Sequence, residues 1–152
     1  AIAEFNGKKE NKSESEVNSI LNKKSGMLGM SGISSDMRDI NKAAFLEGNK
    51  NALTALAVFY HRVKSYIGAY MAEMNGVDAI VFTAGIGEND NDARENICKD
   101  MDKLGIKLDL QKNAEGEEGL ISAADSKVKI FLIPTNEELM IARDTKEIVE
   151  AL

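Results

Sequence analysis

The segment that most constrains this chain is a seven-residue apolar run followed at once by closely spaced glycines and then a polar helical stretch. Residues 77–83, Val-Asp-Ala-Ile-Val-Phe-Thr, are strand length and β-branched, with turn signals on either side, and read as a buried strand. Ala84, Gly85, Ile86, Gly87, Glu88, Asn89 and Asp90 follow, and a helix is expected from about Asp92, carrying Ile97, Met101 and Leu104 on one face and ending at Gly105. A strand, a glycine loop and a helix in that order form the crossover unit of α/β proteins. Glycines at 85 and 87 permit backbone conformations closed to other residues, and their missing Cβ atoms let a ligand approach the main chain. The unpaired N–H groups of the following helix suit phosphate. A tight strand-to-helix turn explains the same residues. The loop is not a P-loop, since no Gly-Lys-Ser/Thr follows, and it is a poor dinucleotide fingerprint, with Asp90 where a third glycine belongs.

The remaining chain extends this α/β reading. A short helix is expected around Val17, Ile20 and Leu21, within a charged N-terminal segment, residues 1–24, that reads as partly flexible. The Gly/Ser/Met stretch at 25–35 reads as a loop, either a linker or a ligand contact. A long helix is expected over residues 49–75, with Leu53, Leu56, Tyr60, Val63, Ile67, Tyr70 and Met74 as its core face and Gly76 as its stop. His61 beside that stripe reads as structural. Short strands are expected at 106–110 and 120–122, separated by an acidic turn at 115–119, and a last strand at 128–133 is ended by Pro134, the only proline. A final helix is expected from about Asn136 to Leu152.

Composition removes several function classes. With 43% hydrophobic and 29% charged residues, a chain of 152 residues can build about one domain. Its net charge of −6, from 25 acids and 19 bases, argues against a nucleic-acid binder working by bulk electrostatics. One cysteine, Cys98, and one histidine leave no disulfide framework and little material for a His or Cys metal centre. No apolar run approaches the ~20 residues of a membrane helix, and none reads as a signal peptide. A cytoplasmic setting is expected. The chain begins at Ala1, without an initiator Met and in helical-looking sequence, as expected of a piece of something longer.

Two further segments could carry chemistry. In Ser35-Asp36-Met37-Arg38-Asp39, the carboxylate of Asp36 can accept ribose hydroxyls while Met37 and Arg38 pack on a base. A helix start, with Ser35 as N-cap and Asp36 in the first turn, explains the same residues. In Pro134-Thr135-Asn136-Glu137-Glu138, Thr135 and Glu138 have capping-box spacing. That leaves Glu137 at a helix start after a strand end, where a free carboxylate could hold Mg²⁺ or simply favour the helix dipole.

Together these blocks are recognisable. Residues 31–39 (Ser-Gly-Ile-Ser-Ser-Asp-Met-Arg-Asp), 81–89 (Val-Phe-Thr-Ala-Gly-Ile-Gly-Glu-Asn) and 133–139 (Ile-Pro-Thr-Asn-Glu-Glu-Leu) occur in this order in acetate kinases. Residues 21–26 and 66–70 are similar to that family too, so the resemblance spans nearly all the chain from about Ser15. The likeness is to the C-terminal part only. It implies a partial ribonuclease H-like lobe of the sugar kinase, Hsp70 and actin superfamily, with a mixed sheet flanked by helices. It implies that Asp36, Met37 and Arg38 contact adenosine, that Ala84, Gly85, Ile86, Gly87 and Glu88, with Asn89 nearby, lie against ATP or ADP, and that Glu137 serves Mg²⁺. Ala84 stands where many family members have another glycine. The family's Asn-rich phosphate segment, catalytic Asp, His residues and two active-site Arg residues have no counterpart here, so no catalytic residue is expected in this chain. The implied parent is a cytoplasmic homodimer that passes a phosphoryl group between ATP and acetate, giving acetyl phosphate. A propionate kinase fragment and a non-catalytic nucleotide-binding or dimerisation module are the alternatives; butyrate kinase fits the glycine block less well. A dinucleotide oxidoreductase rests on Gly85 and Gly87 alone.

Overall fold

A computed structural model describes residues 8–151. The first seven residues of the charged N-terminal segment, and Leu152, to which the final helix was expected to run, lie outside the described residues. The chain divides into two compact units between Val63 and Lys64.

The first unit is helical. Helix α1 (Glu14–Lys23) starts on a capping box in which Ser13 and Glu16 satisfy each other's neighbouring amides. The Gly/Ser/Met stretch is not a loop, as expected, but helix α2 (Gly26–Ser31), closed by Gly32 in the left-handed conformation. Gly29 fits closely inside it, where a Cβ would lie 3.1 Å from the Lys24 carbonyl oxygen. Helix α3 (Met37–Phe45) begins one residue later than expected, with Asp36 rather than Ser35 as N-cap. Helix α4 (Lys50–Glu73), whose residues fall on both sides of the division, begins where Asn49 Oδ1 accepts from the amides of Asn51 and Ala52 at 3.0 and 3.1 Å. The core here comes from Ile40, Ala43 and Ala44 of α3 and Ala52, Ala55, Leu56 and Tyr60 of α4. The expected core stripe of α4 therefore holds at Leu56 and Tyr60 and fails at Leu53, Tyr70 and Met74, which are exposed. Periodicity located an apolar face, but burial follows the alanines one step round it.

The second unit holds a three-stranded mixed sheet in the order β1 (Ala79–Phe82), β3 (Lys129–Leu132), β2 (Gly119–Leu120). β3 is central, parallel to β1 and antiparallel to β2. Its Ile130 and Leu132 are buried, together with Phe82, Ala93, Ile97, Cys98, Met101, Ile106, Ile121 and Val128. β1, expected to be a buried strand, is an edge strand, and Val81 is 49% exposed. Of the two short strands expected before β3, residue 106 forms a lone bridge to Val128 and residue 108 one to Ser122, while Gly119–Leu120 pairs as β2.

The glycine segment departs most from expectation. It is not a loop leading into one helix but helix α5 (Ala84–Asn89), a break at Asp90, and helix α6 (Asn91–Cys98). Asp90 caps α6 by accepting from the Ala93 amide at 2.8 Å. The expected helix to Gly105 stops at Cys98, and a 3₁₀ turn (Asp102–Leu104) precedes Gly105. Helix α7 (Leu110–Glu115), unforeseen, is capped by Asp109 and closed by Gly116. Helix α8 (Glu137–Glu150) ends the described chain. Among the described residues no helix is long and apolar enough to cross a membrane.

Candidate functional site

The parallel register of β1 and β3 brings two strand ends together: Phe82 pairs with Leu132, and the Ile133 amide donates to the Phe82 carbonyl at 3.0 Å. The chains leaving those ends start α5 and α8 side by side. Carboxyl ends of parallel strands are where open α/β sheets bind ligands. Here the Thr83 and Thr135 hydroxyls meet at 2.9 Å. The Ala84 amide donates to Thr135 Oγ1 at 3.2 Å, and the Thr135 amide donates to Glu88 Oε1 at 2.8 Å. Thr135 therefore does not form the expected capping box with Glu138. Asn136 is the N-cap of α8, accepting from the Leu139 amide at 3.0 Å, and Thr135 is free to latch the start of α5. The Thr135 amide, then its hydroxyl and the Ala84 amide, hold the Glu88 carboxyl below its ordinary range against the opposing effect of burial.

The glycines divide their work differently from the expectation. Neither Gly85 nor Gly87 has a positive φ; Ala84 does, at 58°. The position that asks for left-handed backbone is the one filled by alanine, not by either glycine. Gly87 packs closely, since a Cβ would approach the Phe82 carbonyl carbon to 3.3 Å. Gly85 has open space where its side chain would be, leaving bare main chain.

Ala84, Gly85, Glu88, Thr135, Asn136, Glu137 and Glu138 line a cavity of about 440 Å³. The structure thus brings four of the expected site residues together: Ala84, Gly85, Glu88 and Glu137. Ile86, Gly87 and Asn89 share the short helix without lining the cavity; Asn89 Nδ2 instead donates to the Gly85 carbonyl at 2.9 Å. Glu137 is the first residue of α8, exposed, and its carboxylate makes no hydrogen bond or ion pair among the described residues. No group of three His, Cys, Asp or Glu among those residues could hold a metal alone. A Mg²⁺ here fits as an ion taking one carboxylate and completing its shell with phosphate oxygens and water.

The far end of α5 is held by a residue the sequence reading passed over. Arg94 of α6, 1% exposed, donates from Nη1 to the carbonyls of Gly87 and Glu88, each at 2.9 Å. Its Nε and Nη2 donate to Asn113 Oδ1 and to the Asn113 carbonyl at 2.6 and 2.9 Å. Asn113 Nδ2 then donates to the Asn91 carbonyl at 2.9 Å. A signal was present: Arg94 shares the apolar face of its helix with Ile97 and Cys98, where a charge has to find partners.

The remaining expected residues belong to the first unit. Asp36 Oδ1 accepts from the Arg38 amide at 2.9 Å, and the Arg38 guanidinium closes on both carboxylate oxygens at 3.0 and 2.6 Å. That guanidinium first, then the Arg38 amide, pulls the Asp36 carboxyl down to about 2. Ser34 Oγ accepts from the Asp36 amide at 3.0 Å and donates to Asp39 at 2.8 Å, which fixes the approach to the helix. Met37 is half-buried and Arg38 exposed. Arg38 uses both lone pairs of Asp36 Oδ1 and one of Oδ2, so Asp36 can still accept from a hydroxyl at Oδ2.

Comparison with known proteins agrees in every direction. The profile of the acetokinase family matches residues 1–143. The acetate kinase of Clostridium novyi is 62% identical over 99% of this chain and 37% of its own length. That of Thermotoga petrophila is 57% identical over 100% of this chain and 38% of its own length. Among solved structures, Porphyromonas gingivalis acetate kinase superposes with a TM-score of 0.86 at 44% identity, over 97% of this chain and 37% of that one. A propionate kinase from Francisella tularensis gives 0.82 at 40% identity, over 93% of this chain and 36% of that one. The chain spans a little over a third of the length of these relatives. With its strand-end cavity built from the same blocks that carry the sequence likeness, the chain belongs to the acetokinase family.

Proposed function

We propose that this chain is the C-terminal, nucleotide-facing part of an acetate kinase, whose whole protein moves a phosphoryl group between ATP and acetate. The observation that carries the reading is the cavity at the ends of β1 and β3, where the bare main chain of Gly85 and the unpaired carboxylate of Glu137 face one space. Phosphoryl transfer needs alignment and neutralised charge more than covalent help from the protein. Ala84, Gly85, Ile86, Gly87 and Glu88, with Asn89 tying the helix, present α5 to the nucleotide. The N-terminal amides of α8 add a positive dipole end beside it. Asp36 accepts from the ribose hydroxyls, while Met37 and Arg38 pack on the adenine. Glu137 is the protein's ligand to Mg²⁺, which when bound offsets the charge of the phosphates. No residue of this chain is assigned to acetate or to the transferring phosphoryl group.

We further place the parent protein in the cytoplasm as a homodimer, and expect the 152-residue chain alone to bind nucleotide weakly and turn nothing over. The likeness to a propionate kinase keeps propionate as a second acyl substrate, because the residues argued here touch only the nucleotide side. The test is acyl phosphate formation by the full-length protein from ATP with acetate or propionate. Acetate is expected to be the better acceptor. No acyl phosphate from either would refute the reading, and robust acetyl phosphate synthesis by the 152-residue chain would refute the division of labour.

A further inference from the structure

We propose that Arg94 is a positioning residue for the nucleotide site: its guanidinium, seated on Asn113, sets where the main chain of α5 lies. The inference rests on the nucleotide role proposed for α5.

Helix α5 cannot hold itself in place. It has six residues, two of them glycine, and so little helix propensity and no length over which to recover the cost of nucleation. Its last carbonyls have no partners within the helix. Ile86 finds the Asp90 amide at 3.0 Å. Gly87 and Glu88 find Arg94, a cation at a helix C-terminus, where the dipole favours one. Arg94 is itself locked from the other side by the Asn113 carbonyl and side chain, and Asn113 by Asn91. The result is a rigid bracket from α7 through α6 to α5.

Packing alone does not call for an arginine here. Burying a guanidinium costs several kcal/mol of desolvation that an apolar side chain of similar volume avoids. What only the planar fork offers is donors to two consecutive carbonyls and a separate anchor at once; lysine, a point donor, does not reproduce it. The consequence falls on the cavity. α5 is about 9 Å long at ~1.5 Å per residue, so a tilt of about 7° at its C-terminal end moves Ala84 and Gly85 by about 1 Å. Displacement on that scale can cost about a hundredfold in a positioned reaction.

The test uses the full-length protein. Mg-ATP affinity is measured by titration calorimetry for wild type, Arg94→Lys and Asn113→Ala, with the apparent KM for acetate as the control. Arg94→Lys is expected to weaken ATP binding at least about thirtyfold and leave the acetate KM within about twofold. Asn113→Ala, which keeps the contacts to Gly87 and Glu88, is expected to weaken it about fivefold. A purely structural role would lower the folded fraction without separating the two substrates. Either variant, folded and binding ATP as wild type does, overturns the proposal. Should Arg94→Lys fail to fold, hydrogen exchange on wild type decides: ATP must slow exchange in α7 as well as α5, and protection confined to α5 overturns it. Wild type that binds no ATP would instead refute the nucleotide reading itself, and this inference with it.

Discussion

Two short helices carry most of the residues assigned to the nucleotide, and they are held in opposite ways. α3 starts on itself. Asp36 caps it, Arg38 two residues on returns to both carboxylate oxygens, and Ser34 ties Asp36 to Asp39. Every contact falls within six residues of sequence. α5 is held at its start by Thr135, 51 positions from Ala84, and at its end by Arg94, seven and six positions from Gly87 and Glu88, whose own anchor lies 19 positions further on. A locally closed helix start presents the same groups wherever its segment goes. A glycine-bearing turn of helix latched at both ends is set in place only when its whole unit is folded. The first suits recognition of a base and sugar; the second suits placing phosphates to within an ångström.

The contrast can be broken most sharply at the long-range end. Arg94→Ala leaves the Gly87 and Glu88 carbonyls and the Asn113 side chain without their donor, and is expected to cost about 3 kcal/mol or more in chemical denaturation. A loss under about 1 kcal/mol would show that the bracket is not rigid. Thr135→Val, close in volume, removes the acceptor for the Ala84 amide and the partner of Thr83. It is expected to cost about 1–2 kcal/mol and to weaken Mg-ATP binding in the full-length protein about tenfold. Ala84→Gly goes the other way. Relieving left-handed backbone at an alanine is expected to raise stability by about 1 kcal/mol in the same denaturation experiment, and a loss would mean that the φ of 58° is not strained.

The smallest effects belong to the local pair. The folded value for Asp36 is lowered, from an ordinary 3.8 to about 2. Its contribution is therefore complete above the ordinary value and disappears only as pH falls through about 2. NMR titration of the Asp36 carboxyl should show that midpoint, and Arg38→Gln should return it towards the ordinary value. A wild-type midpoint near 4 would show that the pair does not form. Asp36→Ala should raise the apparent KM for ATP about threefold, the loss of one hydrogen bond, with no change for acetate.

The same contrast decides what the sequence could reveal. The helix start at Asp36 was readable to within one residue because its partners are its neighbours. α4 and α8 were readable from periodicity and flanking Asn and Gly residues. The strand–glycine–helix order was readable, yet the backbone of the glycine block was not: glycine propensity argues for a loop, and contacts from Thr135 and Arg94 overrule it. Thr135 was misread for a related reason. Its spacing to Glu138 mimics a capping box, but Asn136 caps as well, and a hydroxyl partner 52 positions away claims Thr135. The strand holding Val81 reads as buried from its apolar run and bounding turn signals, and only the strand order shows β1 to be an edge.

The central claim, that the strand-end cavity receives Mg-ATP, is tested most directly at Glu137. The measurement is the dependence of acetyl phosphate formation on Mg-ATP and on acetate, in the full-length protein and in Glu137→Ala. The account predicts that the variant needs far more Mg-ATP while its apparent KM for acetate stays within about twofold, the signature of a contact made to one substrate only. An unchanged Mg²⁺ and ATP dependence would contradict it, leaving Glu137 as one more carboxylate at the positive end of a helix.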